Sequence, residues 1–160
     1  MHSTSIDRVE GCRSALQEAG LPIREESLRQ GDSHIASGYR IGLNLFQSPD
    51  PPTAIFTLNN RMALGILQAL RELHIPCPDQ VSLLSFDDAD WAEVFNPSLS
   101  AIAQPTFELG KRATGLLLQS ISAINAGNEI KAQQIVLKST LRKRASTGPV
   151  INSRPALVSK

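Results

Sequence analysis

At 160 residues the chain fits one domain, long enough to bury a real core. Sixteen Lys and Arg against fifteen Asp and Glu give a formal net charge of +1; with no long like-charge block, composition offers no basic footprint for nucleic acid. A hydrophobic share of 41% excludes a disordered chain, and aromatics at 4% make the expected core aliphatic.

The opening M-H-S-T-S-I-D-R is too polar for a secretory leader, and no apolar run approaches the roughly 18 residues of a membrane helix, so a cytoplasmic placement without membrane contact is expected. Over 6–19, Ile6, Val9, Cys12, Leu16 and Ala19 recur every three or four residues, with Ser3 to Ser5 as candidate caps and Gly20 as the stop. That spacing predicts an amphipathic helix. A short strand is expected over 27–30, then a helix over 35–46 ended by Ser48-Pro49. Residues 53–58 are β-branched and nearly all apolar, as in a strand buried on both faces of a parallel sheet. A helix from about Asn60 carries Met62, Ile66, Leu70 and Leu73 as its stripe, and a second apolar strand over 81–86 completes a βαβ unit.

Residues 88–95 read as a short helix broken at Asn96-Pro97, and 99–103 as extended chain up to Gln104-Pro105. A long helix follows over 107–124, with Leu109, Ala113, Leu116, Leu117 and Ile124 on one face and Ala126-Gly127-Asn128 as its close. Residues 135–137 and 140–144 are weaker strand candidates, and 148–160 read as a loose tail. Alternating strands and helices predict an α/β fold with a largely parallel sheet. Ligands on such sheets lie beyond the carboxyl ends of the strands. Asn59, Asp87 and Gln104 each fall at such an end, and three uncharged or acidic hydrogen-bonding groups suit a polyhydroxyl ligand better than a phosphate.

Three blocks, P-T-A-I-F-T-L-N-N-R-M-A-L-G, P-D-Q-V-S-L-L-S-F-D-D-A-D-W and P-S-L-S-A-I-A-Q-P-T-F-E-L-G, stand in an order and spacing that resemble the effector-binding domain of the LacI/GalR (lactose-repressor/galactose-repressor) transcriptional regulators. Upstream, T-S-I-D-R-V-E-G-C is similar to that family's R-x-x-G helix, and Arg144-Ala145-Ser146-Thr147 to its closing R-x-S-T. The resemblance spans about residues 3 to 147. It implies a periplasmic-binding-protein-like (type I) domain, mostly its C-terminal lobe with part of the other. A small effector, usually a sugar or a nucleobase, would bind between the lobes and alter DNA affinity of a separate helix-turn-helix headpiece, which would lie outside this chain along with the hinge and most of the first lobe.

Carried over residue by residue, the resemblance implies that the Arg8 guanidinium reaches ligand oxygens, that the Asn59 amide pairs with a hydroxyl, that Asp87 accepts from ligand hydroxyls, and that Gln104 is both hinge and cleft wall. Asn60 stands where Asp is commoner and is expected to preserve the helix cap. After Gly31-Asp32 the family often places a stacking aromatic, yet here Ser33 and His34 follow. Trp91 has two readings, a replacement stacking face or a packing residue of the short helix. The implied partners are a small-molecule effector and a second copy of the chain paired along the second lobe, with DNA reached only through the headpiece.

Enzymatic chemistry finds no constellation. The histidines are His2, His34 and His74, and neither G-x-S-x-G nor a phosphate-cradling glycine loop occurs. The acidic run Asp87, Asp88, Asp90 and Glu93 lacks the D-x-D-x-D-G spacing of a calcium loop and has no second acidic pair for hydrolysis. Cys12 and Cys77 have no C-x-x-C partner and no set of histidines at metal-site spacing, and read as buried free thiols. No metal or cofactor is implied. A-L-G-I-L-Q-A-L-R-E-L-H-I-P is followed by a strand, not a recognition helix, which weighs against direct DNA binding. Two other readings remain: a solute-binding protein serving a transporter, which shares the fold, and a folding remnant without activity.

Overall fold

The computed structural model describes residues 3–21, 23, 25–130 and 132–149. In chain order these form α1 (Ser3–Glu18), α2 (Ile35–Phe46), β1 (Ala54–Thr57), α3 (Asn60–Glu72), β2 (Ser82–Phe86), β3 (Ser100–Ala103), α4 (Thr106–Asn125) and β4 (Thr140–Arg142), with 3-10 turns at Glu25–Ser27 and Asp90–Ala92. The strands lie in the order β1-β2-β3-β4. β1, β2 and β3 run parallel, with Phe56 opposite Leu84 and Phe86 opposite Ile102. β4 returns antiparallel on β3, with Leu141 opposite Ile102. The sheet is therefore mixed, not wholly parallel, because the chain comes back from α4 against the sense of β3.

The core is mostly aliphatic. Ile66, Leu67 and Leu70 of α3 meet Leu83 of β2, Leu99 ahead of β3, and Phe46, Ile75, Val81 and Ala92. The observed face of α3 is broader than the single stripe expected of it, since Ala63, Gly65 and Ala69 are also buried. Small residues let α2 come close. A methyl on Gly38 would lie 2.4 Å from the Met62 carbonyl oxygen, and one on Gly65 would lie 2.2 Å from that of Ile35. Only residues without Cβ fit there.

Three helices end in the same hydrogen-bonded reversal. Leu21 N–H donates to Leu16 O at 2.8 Å past Gly20, Ile75 N–H to Leu70 O at 2.9 Å past His74, and Asn128 N–H to Ala123 O at 2.9 Å past Gly127. The residue at the turn has positive φ each time: 70°, 55° and 72°.

Several expectations need correction. Residues 28–30 are irregular, and the nearest regular structure is the 3-10 turn at Glu25–Ser27, tied to α1 by Arg13 donating to Glu25 at 2.7 Å. That stretch holds one large apolar side chain, Leu28, too few to bury a strand face. β1 is not buried on both faces: Ala54 is exposed, Ile55 and Phe56 are half-buried, and Thr57 alone is buried, because β1 is an edge strand. Ser3 to Ser5 begin α1 instead of preceding it. The 88–95 helix shrinks to Asp90–Ala92, and 135–137 form no strand. α4 has no buried residue. The expected tail lies outside the described residues from 150 onward.

Cys12 and Cys77 are half-buried and free, and burial pushes both thiols up, Cys77 to about 11. Such thiols are poor nucleophiles. No helix among the described residues is long and apolar enough to cross a membrane.

Candidate functional site

The C-terminal ends of the parallel strands β1, β2 and β3 lie side by side, each with a polar residue within two positions of its end. Past β1, Asn59 takes extended backbone (φ −159°) and its side-chain oxygen accepts the Met62 N–H at 2.8 Å. Asn59, not Asn60, is therefore the cap of α3, and Asn60 is the helix's first residue. The cap forms because Asn59 is the last extended residue before the helical turn, where a side-chain oxygen reaches the open N–H groups. Its oxygen keeps a second lone pair, and its amide nitrogen remains as donor.

Past β2, Asp87 stands in the left-handed region at φ 70°, with its N–H donating to Ile102 O at 3.0 Å. Its carboxylate accepts from the Gln104 side-chain nitrogen at 2.5 Å, which joins the ends of β2 and β3 directly. Left-handed backbone at a residue with a Cβ is costly, although Asp tolerates it better than most.

Arg8 connects this pair to β1. From α1 its Nη1 donates to the Leu58 carbonyl at 2.6 Å, and its guanidinium lies 3.8 Å from the centre of the Phe86 ring. Leu58 precedes Asn59 and Phe86 precedes Asp87, so one cation touches the backbone of one strand end and the aromatic face of another. Phe86 is a part of the site that motif reading missed. Its one signal was its place immediately before Asp87.

Trp91 is tied to the core. It is half-buried against the core and edge-on to Phe95, with centroids 5.5 Å apart and planes at 65°. Ser33 and His34, where an aromatic was sought, build a turn: Ser33 has φ 67°, the Asp32 carboxylate accepts the His34 N–H at 3.0 Å, and that bond holds the Asp32 carboxyl below its usual range.

Beneath the site lies a second feature that motif reading treated only as a signature. Arg144 grips both carboxylate oxygens of Asp88, at 2.7 and 2.8 Å, and donates to Leu99 O at 2.7 Å and to Glu93 at 3.0 Å. The guanidinium draws the Asp88 carboxyl below its ordinary range. Two residues on, the fully buried Ser146 hydroxyl accepts from Ser100 N–H at 2.8 Å and donates to Leu83 O at 2.6 Å. It fills the opening where β2 and β3 diverge ahead of their paired residues, and so completes backbone hydrogen bonding that would otherwise be buried unsatisfied. Among the described residues no group of three His, Cys, Asp or Glu is placed to hold a metal ion.

Residues 1–147 match the family described as periplasmic binding protein-like domain. The chain is 33% identical to the HTH-type transcriptional repressor PurR of Vibrio parahaemolyticus over 139 residues, covering 86% of this chain and 42% of that protein. Among solved structures it is similar to a LacI family transcriptional regulator from Enterococcus faecium with bound ribose: TM-score 0.78, 32% identity, 89% of this chain and 51% of that one. It is also similar to the transcriptional regulator CelR in complex with cellobiose: TM-score 0.79, 30% identity, 88% of this chain and 42% of that one. The chain thus spans about half the length of the proteins it matches, or less.

Proposed function

The chain belongs to the periplasmic-binding-protein-like domain family, in the form carried by LacI/GalR regulators, and from that premise we propose that it is the effector-sensing part of a cytoplasmic transcriptional regulator. The effector is a small polyhydroxyl molecule, a sugar above all, held at the strand ends by Arg8, Asn59, Asp87 and Gln104. The observation that carries the reading is the Asp87–Gln104 bond across the ends of β2 and β3, with Arg8 reaching the same ends from α1. Charged acceptor, amide and guanidinium at one edge can alternately accept from and donate to vicinal hydroxyls. The sugars in the two similar regulators support the same ligand class. The packing of Trp91 supports its structural reading over ligand stacking.

Sensing works by unequal affinity for two lobe arrangements, which shifts their populations and thereby the DNA affinity of a headpiece outside this chain. Gln104, which lies between β3 and α4, acts as hinge in this proposal. A homodimer paired along this lobe completes the proposal. A transporter's solute-binding protein is less well supported, since the similar proteins above are transcriptional regulators.

The test is thermal unfolding of the chain against pentoses, hexoses, disaccharides and purines, repeated on Asp87→Asn, which keeps a residue that accepts left-handed backbone. A ligand at about 100 times its Kd stabilises by about 2.7 kcal/mol. We expect one class to raise the Tm of the parent and to do so much less in the variant. A cooperative transition that no ligand moves would overturn the reading.

A further inference from the structure

We propose that Arg144 is a positioning residue for this site: its grip on Asp88 holds the left-handed turn at Asp87 and so keeps the Asp87 carboxylate against Gln104. The functional meaning rests on the effector-binding reading above; the positioning itself rests on geometry alone.

Asp87 stands at φ 70°, a conformation that side chains resist and that persists only where its surroundings over-determine it. Two restraints flank it. On one side its own N–H is tied to Ile102 O at 3.0 Å. On the other, Asp88 is held through both oxygens by a planar fork that cannot slide without breaking two charge-assisted bonds.

The fork is itself fixed. The Arg144 side chain is 12% exposed. Its Nη1 also holds the Leu99 carbonyl at 2.7 Å, and its backbone N–H and C=O both bond the Ser100 hydroxyl, at 2.9 and 3.2 Å. Arg144 therefore anchors the residue beside Asp87 to the start of β3, while Gln104 stands past the end of that strand. Remove the fork, and Asp88 loses its anchor. The turn can then relax to negative φ, which swings the Asp87 carboxylate off Gln104. Lysine cannot substitute, because one ammonium cannot hold two coplanar oxygens and a carbonyl together.

An ion pair that merely stabilises the fold would lower Tm and leave the Asp87–Gln104 bond intact, so the readout is that bond. The ¹⁵N-labelled chain, Arg144→Lys and Asp88→Asn are compared by the side-chain amide resonances of Gln104, with the backbone amides of Ile66 and Leu70, buried in α3, as reporters of the fold. We expect the Gln104 amide and the Asp87 N–H to move toward solvated values in both variants while Ile66 and Leu70 stay in place. With D-ribose as probe, we expect about tenfold weaker binding in both variants, the equivalent of one charge-assisted hydrogen bond held out of place.

A Gln104 signal unmoved in the folded variants overturns the proposal. If Arg144→Lys does not fold, Asp88→Asn, which conserves shape, decides. If ribose leaves the parent spectrum unchanged, sensing of that sugar fails as a reading, while the ligand-free Gln104 signal still upholds or overturns the positioning role.

Discussion

Asp88 carries the clearest pH signature among the residues around the site. The Arg144 guanidinium lowers its carboxyl below the ordinary value near 3.9, and the pair is mostly shielded from water. A carboxyl depressed in the folded state contributes stability above its unfolded pKa and loses it as pH falls through the folded value. The Tm of the parent should therefore exceed that of Asp88→Asn at neutral pH, and the gap should close below about pH 4. A gap that is the same at acid and neutral pH would show that the pair contributes nothing through charge. At this scale the sequence was informative where chemistry is local. The strand-end positions of Asn59, Asp87 and Gln104 were legible because the apolar runs before them stop there. The partner of Asp88 was not legible, since 56 residues separate it from Arg144. Nor was the choice between Asn59 and Asn60 as cap, which depends on where the extended backbone stops.

Among the elements, the α2–α3 contact has the least slack. The two helices approach through Gly38, Gly42 and Gly65, and a methyl at Gly65 would meet Tyr39 N as well as the Ile35 carbonyl oxygen. Backbone atoms cannot swing away as a side-chain end can, so Gly65→Ala should separate the helices and cost about 1–3 kcal/mol. For a chain of this size that is roughly 2–4 °C of Tm per kcal/mol. Gly11 provides the contrast: it lies within α1, and a methyl there would touch nothing within 4 Å. Gly11→Ala should be neutral or gain about 0.5–1 kcal/mol from helix propensity. Equal Tm changes for the two variants would show that the close approach carries no energetic weight. Element type was readable wherever local signals sufficed, as with Gly20 and Gly127 closing their helices. His74 closes α3 in the same conformation without any such mark. Strands fared worst, because a strand exists only beside another: 135–137 had the apolar and β-branched content of a strand but pairs with nothing among the described residues, and 27–30 had too little of that content to pair at all. The same dependence on neighbours left β1 half-covered.

At the scale of the whole molecule, α4 poses the largest energetic question. It is the longest helix, its end is well formed, and yet Phe107 is 82% exposed, Leu117 and Leu118 are each 59% exposed, and Ile121 and Ile124 are exposed too. Burying one such side chain fully is worth about 1.5–3 kcal/mol, and soluble proteins rarely leave so many together in water. Within the proposed regulator, the first lobe would cover this face. For the 160-residue chain alone, the physics predicts concentration-dependent self-association through α4. Replacing Leu117, Leu118 and Ile121 with Lys or Glu should then suppress association in sedimentation equilibrium. Because these side chains bury little within the chain, the stability of the dissociated protein should change by no more than about 0.5 kcal/mol per substitution. Placed in a full-length regulator, the same substitutions should instead lower stability sharply, since there they would put charge into a packed interface. Unchanged association in the variants would show that the apolar stripe of α4 is not what brings copies of the chain together, and the other exposed apolar residues, Val94 and Val136 foremost, would have to account for it.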